Sequence, residues 1–190
     1  KALHVREADE TVHIGASPAH TTGRSQSMGF RAAVALPGHL GVELDARLLD
    51  EATRAEVAHW IALYKRWRDR LHHGRVWLGE AGDGLVWQAH GDAERNELLL
   101  FVYRIQPSSH RYTPTLRLPM LDASARYRAC RVLPEGRHDD HWFRPPAPLF
   151  DAIDHAGVVF DGAWLNHAGL PLPRSTAETC WIVHLSKVAS

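Results

Sequence analysis

Lysine is nearly missing from this chain: Lys1, Lys65 and Lys187 are the only ones, and arginine carries the remaining positive charge. The arginines are scattered, and Lys+Arg 22 balance Asp+Glu 22. A neutral, unclustered pattern argues against an electrostatic nucleic-acid partner or an acidic tail. Cysteine is scarce too. Cys130 and Cys180 make no disulfide framework, although one bridge is allowed. No apolar run approaches the ~20 residues of a membrane helix, so no membrane partner is expected. No basic-then-apolar leader opens the chain. It starts at Lys1 rather than Met, and is read as a processed product or a piece of something longer. Length is the last shortage. A complete eight-fold β/α barrel typically takes roughly 250 residues, and this chain has 190. It should still bury about 70% of its unfolded surface, enough for a real core.

What is present changes character along the chain. Residues 1–12 are polar and without period. Ser17-Pro18-Ala19-His20-Thr21-Thr22-Gly23-Arg24-Ser25 has the Pro, Gly and hydroxyl density of a loop. Phe30–Leu36 is a short apolar run closed by Pro37-Gly38, and period alone leaves it strand or helix. A helix is expected over 50–73. Asp50 caps it with Glu51 in the first turn, or Thr53 and Glu56 form a capping box. Val57, Trp60, Ile61, Tyr64, Trp67 and Leu71 fall on one stripe. Basic residues load its last turns, and Gly74 is placed to end it.

Beyond Gly74 the period becomes that of strands. Arg75–Glu80 and Leu85–His90 flank Gly82-Asp83-Gly84 as a hairpin. Leu98–Ile105 reads as a central strand covered on both faces. Thr115–Met120 and Ala125–Val132 alternate with period two. Arg144-Pro145-Pro146-Ala147-Pro148 is a rigid extended connection. Val158–Phe160 and Ala163–Leu165 are short strands around Asp161-Gly162, and Glu178–Leu185 closes the series. The expected division is 1–74 and 75–190, the second part an antiparallel sandwich or barrel-like β domain.

Fourteen histidines require a check for metal sites. His138-Asp139-Asp140-His141 has ligand-type side chains but sits between Gly136 and the proline run, as a solvated loop would. That cluster is the basis of one reading, a metal-dependent hydrolase. His72-His73 complement the helix dipole. Ser17 lacks the Gly-x-Ser-x-Gly elbow, and no Gly-rich phosphate loop occurs. Trp60 and Trp67 are expected in the core. Trp77 and Trp87 lie across the hairpin, paired with each other or exposed as a platform for sugars. The platform belongs to another reading, a free-standing carbohydrate-binding β module. No pair of carboxylates is picked out for glycoside hydrolysis.

One ordered series of motifs points further. His13-Ile14-Gly15-Ala16-Ser17-Pro18-Ala19-His20-Thr21-Thr22-Gly23-Arg24, then Phe30–Leu36, then Gly38-His39-Leu40-Gly41-Val42-Glu43-Leu44-Asp45, resembles bacterial α-galactosidases (melibiases) of glycoside hydrolase family 36. Trp60-Ile61-Ala62-Leu63-Tyr64-Lys65 looks like the family's last barrel helix. Gly162–Leu165, Gly169–Pro173 and Glu178–Leu185 look like its C-terminal β domain.

The resemblance implies an α+β fragment, the last strands and helix of a (β/α)8 barrel followed by a sandwich-like antiparallel C-terminal domain. It implies hydrolysis of terminal α-galactosyl residues with retention, an α-galactoside substrate, and no cofactor or metal. The family's Asp nucleophile and Asp acid/base lie in motifs that do not occur here, so the chain alone is expected to be inactive. His20 and Arg24 would lie on the strand-end face and support the site from behind. Arg24 alternatively satisfies carbonyls of its own turn. The missing barrel and N-terminal segments would be the natural partners, and without them the helix stripe is expected to leave an apolar patch that favours a homo-oligomer. Bacterial members are often cytoplasmic, in keeping with the few cysteines.

Overall fold

The computed structural model describes residues 11–20, 22–110, 112–132, 153 and 156–189. The chain forms two compact units that divide after Gly74. The Pro-rich 144–148 stretch and the 138–141 cluster lie outside the described residues.

The first unit is built as strand, helix, strand, helix. Strands β1 (Thr11–Ile14) and β2 (His39–Val42) pair in parallel, with His13 opposite Gly41 and Ile14 opposite Val42. Parallel strands need a crossover, and helix α1 (Met28–Ala35) supplies it. The apolar run that period left ambiguous is therefore helical. Ser27 caps it, its Oγ accepting from the Phe30 N–H at 3.2 Å, and alanines favour helix over strand. Phe30, Ala32, Ala33 and Ala35 are buried beside Ile14 and Leu36, which are fully so.

Helix α2 (Glu51–His73) follows, with the Asp50 carboxylate accepting from Thr53 N–H at 2.7 Å. Of the two caps open in the sequence, the aspartate is the one used. Its buried stripe is Val57, Trp60, Leu63, Trp67 and Leu71. Leu63 takes the seam, while Ile61 and Tyr64 flank it half-buried. Spacings of three and four residues keep these positions on one face. The expected exposed patch is thus corrected: Trp60 is 0% and Trp67 2% exposed within this chain. At the far end, His72 stacks on His39 with centroids 4.2 Å apart and meets the Tyr64 hydroxyl at 2.8 Å. Gly74 is extended (φ −74°) and leads straight into the next strand, without a left-handed stop.

The second unit is a six-stranded antiparallel sheet. Its strands are β3 (Arg75–Gly82), β4 (Leu85–Gly91), β5 (Glu97–Arg104), β6 (Arg126–Arg131), β7 (Val158–Asp161) and β8 (Thr179–Val188), in spatial order β3-β4-β5-β8-β6-β7. The hairpin forms as expected, with Gly82, Asp83 and Gly84 all at positive φ. From Leu98 to Arg104, β5 is buried on both faces. Trp77 pairs with Ala89 and Trp87 with Gly79, so the two tryptophans are diagonal neighbours on the core face. Both are buried, which removes them as a sugar platform. Gly79 is required there, because a Cβ would fall 2.5 Å from the Trp87 ring.

Two expected strands are absent. Leu116, Leu118 and Met120 are buried in alternation, yet this stretch makes only an isolated bridge between Leu116 and Leu170. Pro119 within it has no N–H to extend a ladder. Ala163–Leu165 lies in a short helix, α3 (Gly162–His167). Its first residue packs so tightly that a Cβ would be 2.0 Å from the Asp122 carbonyl oxygen. Gly169, at φ 87°, carries the chain away from it. Among the described residues, no helix is long and apolar enough to cross a membrane.

Candidate functional site

Barrel enzymes build their sites on the loops at the carboxyl ends of the parallel strands. Here those loops are 15–27 after β1 and 43–50 after β2. The first is tied down by its own polar groups. Ser17 Oγ donates to the Gln26 carbonyl at 3.2 Å and accepts from its N–H at 3.1 Å. Ala19 N–H donates to the Arg24 carbonyl and Gly23 N–H to the Ala19 carbonyl, closing a tight turn with Gly23 at φ 67°. From α1, the Arg31 guanidinium donates to the Gly15 carbonyl. Burial pulls Arg31 below its ordinary pKa, with Glu56 opposing.

His20 and Arg24 lie on this loop and their side chains are exposed. Arg24 contributes its backbone to the turn, with its N–H 3.4 Å from Thr22 Oγ1. His13, Gly41 and Glu43 form a constellation to which sequence reasoning attached no role. A Cβ on Gly41 would lie 2.0 Å from His13 Cδ2 and 2.7 Å from Nε2, so the imidazole lies across the neighbouring strand where only glycine leaves space. Its Nδ1 stands 3.1 Å from Glu43 Oε1. The signal existed as strand parity: Ile14 is fully buried, so His13 points the other way. Reading it needs the β1–β2 register, which no residue spacing specifies.

The two carboxylates at these strand ends are both engaged. Glu43 faces His13, and Asp45 holds Arg47 through two oxygens at 2.9 and 2.7 Å. That contact draws the Asp45 carboxyl below its ordinary range. Such an arrangement can bind a polar ligand by hydrogen bonds.

Two further polar clusters lie in the sheet unit. Asp83, at the hairpin tip, accepts from Ser108 Oγ at 2.5 Å and from Arg104 Nη1 at 3.3 Å, and meets His110 Nδ1 at 3.0 Å. These contacts lower its pKa from 3.8 to about 2, the Ser108 and His110 hydrogen bonds leading. Arg104 is completely buried and also donates from Nε to Ser175 Oγ. On the other cluster, His184 Nε2 meets Glu97 Oε1 at 3.1 Å. Among the described residues, no three His, Cys, Asp or Glu come together to hold a metal ion. Cys130 and Cys180 are both free thiols, and burial pushes the Cys180 thiol well up.

Comparison with known proteins divides the chain in the same order as its elements. Residues 3–74 match the Melibiase family model, and residues 85–185 match the glycosyl hydrolase family 36 C-terminal domain. An α-galactosidase of Escherichia coli is 28% identical over 184 residues, covering 92% of this chain and 25% of the relative. A probable α-galactosidase G of Aspergillus terreus is 30% identical over 178 residues, covering 92% of this chain and 21% of its own length. The solved α-galactosidase AgaB of Geobacillus stearothermophilus superimposes with a TM-score of 0.73 at 25% identity, over 94% of this chain and 22% of that one. A variant of AgaA from the same organism, solved with raffinose, does so with a TM-score of 0.72 at 27% identity, over 93% and 21%. The chain therefore spans 21–25% of the length of these two curated relatives.

Proposed function

We propose that this chain, which belongs to glycoside hydrolase family 36, forms the carboxyl-terminal part of an α-galactosidase. In this reading the whole enzyme removes terminal non-reducing α-D-galactosyl residues from melibiose- and raffinose-type galactosides, with retention. One observation carries the proposal: two family models match in order, the first over the strand-helix-strand-helix unit and the second over the antiparallel sheet. The raffinose held by the AgaA variant supports the substrate class.

The chain's own contribution is the loop face above β1 and β2 together with the closing β domain. Retaining hydrolysis needs two carboxyl groups about 5–5.5 Å apart, one attacking the anomeric carbon while the other protonates the leaving oxygen. Both belong to motifs that this sequence lacks, so the chain alone is inactive. His20 and Arg24 then support the site through the loop that carries them. The other barrel segments are its partners, in an enzyme that works as a homo-oligomer. A cytoplasmic location fits the two free thiols.

The test compares the purified chain with the product of the full reading frame that encodes it, on an aryl α-galactoside. The expected result is no turnover by the chain and galactose release by the longer product. Turnover by the chain alone, or a full frame without both aspartate motifs, would refute the proposal.

A further inference from the structure

We infer that His13 is a sugar-binding residue of this enzyme, hydrogen-bonding a galactosyl hydroxyl at the carboxyl-end face, with Glu43 as its positioning residue. The inference rests on the α-galactosidase reading above and names a contact within that site.

Side-chain alternation gives the direction. Ile14 is fully buried in the first unit, where α1 packs on β1. His13 precedes it and projects from the opposite face of the strand, which in a closed barrel is the lumen. Its height gives the location, one residue below the carboxyl end of β1, where barrel strands deliver side chains to substrate.

Local chemistry then separates His13 from a residue that merely fills space. Gly41, its register partner, leaves the gap in which the ring lies. Glu43 sits 3.1 Å from Nδ1 and fixes one side of the imidazole. A ring nitrogen held by a carboxylate leaves the other free for a ligand. Within this chain the side chain is 39% exposed. A sugar hydroxyl both donates and accepts, so it can serve that nitrogen in either protonation state.

The experiment uses the full reading frame and measures kcat, KM and inhibition by free galactose. H13A should raise KM and the galactose inhibition constant about tenfold, as expected for one lost hydrogen bond, with kcat little changed. H13Q, which places an amide nitrogen near Nε2, should recover most of the binding. E43Q should fall between wild type and H13A while leaving the melting temperature unchanged. If wild type is active but H13A and H13Q bind galactose as wild type does, the inference fails and the α-galactosidase reading stands. A loss confined to kcat would likewise reject His13 as a binding residue. An inactive wild type would overturn the reading, and this inference with it.

Discussion

Asp83 shows how a single residue can organise a turn and its neighbours. Its backbone adopts a left-handed conformation, and its carboxylate meets Ser108, His110 and the buried Arg104. Replacing it with alanine leaves a buried guanidinium short of an acceptor, and should lower stability by about 1–3 kcal/mol in urea unfolding. The sign with pH follows from its lowered pKa. The folded carboxyl titrates near 2 and the unfolded one near 3.8. Its contribution is therefore complete above about pH 4 and fades as pH falls towards 2. D83N should show a shallower loss of stability across that window in acid titrations followed by circular dichroism. Asp122, lowered by Ser124 and Lys187, accounts for part of the remaining slope. Thiol chemistry offers a second residue-scale check. Cys180 should stay unreactive towards a disulfide reagent until the protein unfolds, given its burial and raised pKa.

At the scale of elements, α2 and the β3–β4 hairpin were legible because each announces itself locally. Asp50, the apolar stripe and the basic last turn fall within one segment, as do Gly82, Asp83 and Gly84. W60A should cost about 3–5 kcal/mol by emptying the stripe's most buried position. G79A should cost about 1–3 kcal/mol by forcing the Trp87 ring aside, measured as a lower melting temperature. What stayed hidden depended on partners distant in sequence. The α3 helix is hidden in the sequence because three residues carry no period, and its course is set by contacts with Asp122 and Ala125. Alternation at Leu116–Met120 correctly marked the buried side chains, but burial is not pairing. The candidate site was half legible. Its loop stood out through Pro18 and Gly23, whereas His13 and Glu43 meet only because two strands align in parallel.

Across the molecule, each unit has its own source of order: α1 and α2 beside a parallel strand pair, and a large core on one face of the sheet. The sheet's order contains one long-range dependency. Among the described residues, strand pairing joins the meander β3-β4-β5 to the pair β6-β7 only through β8, where Leu185 pairs with both Leu98 and Ala129. During translation the ribosome must therefore release residues 179–188 before either half can find the other. At about 5–20 residues per second, the 74 residues between β5 and β8 hold the meander's β5 edge open for about 4–15 seconds. The β domain should accordingly acquire protease resistance only once residues 179–188 have left the ribosome, and nascent chains arrested before Thr179 should stay protease-sensitive.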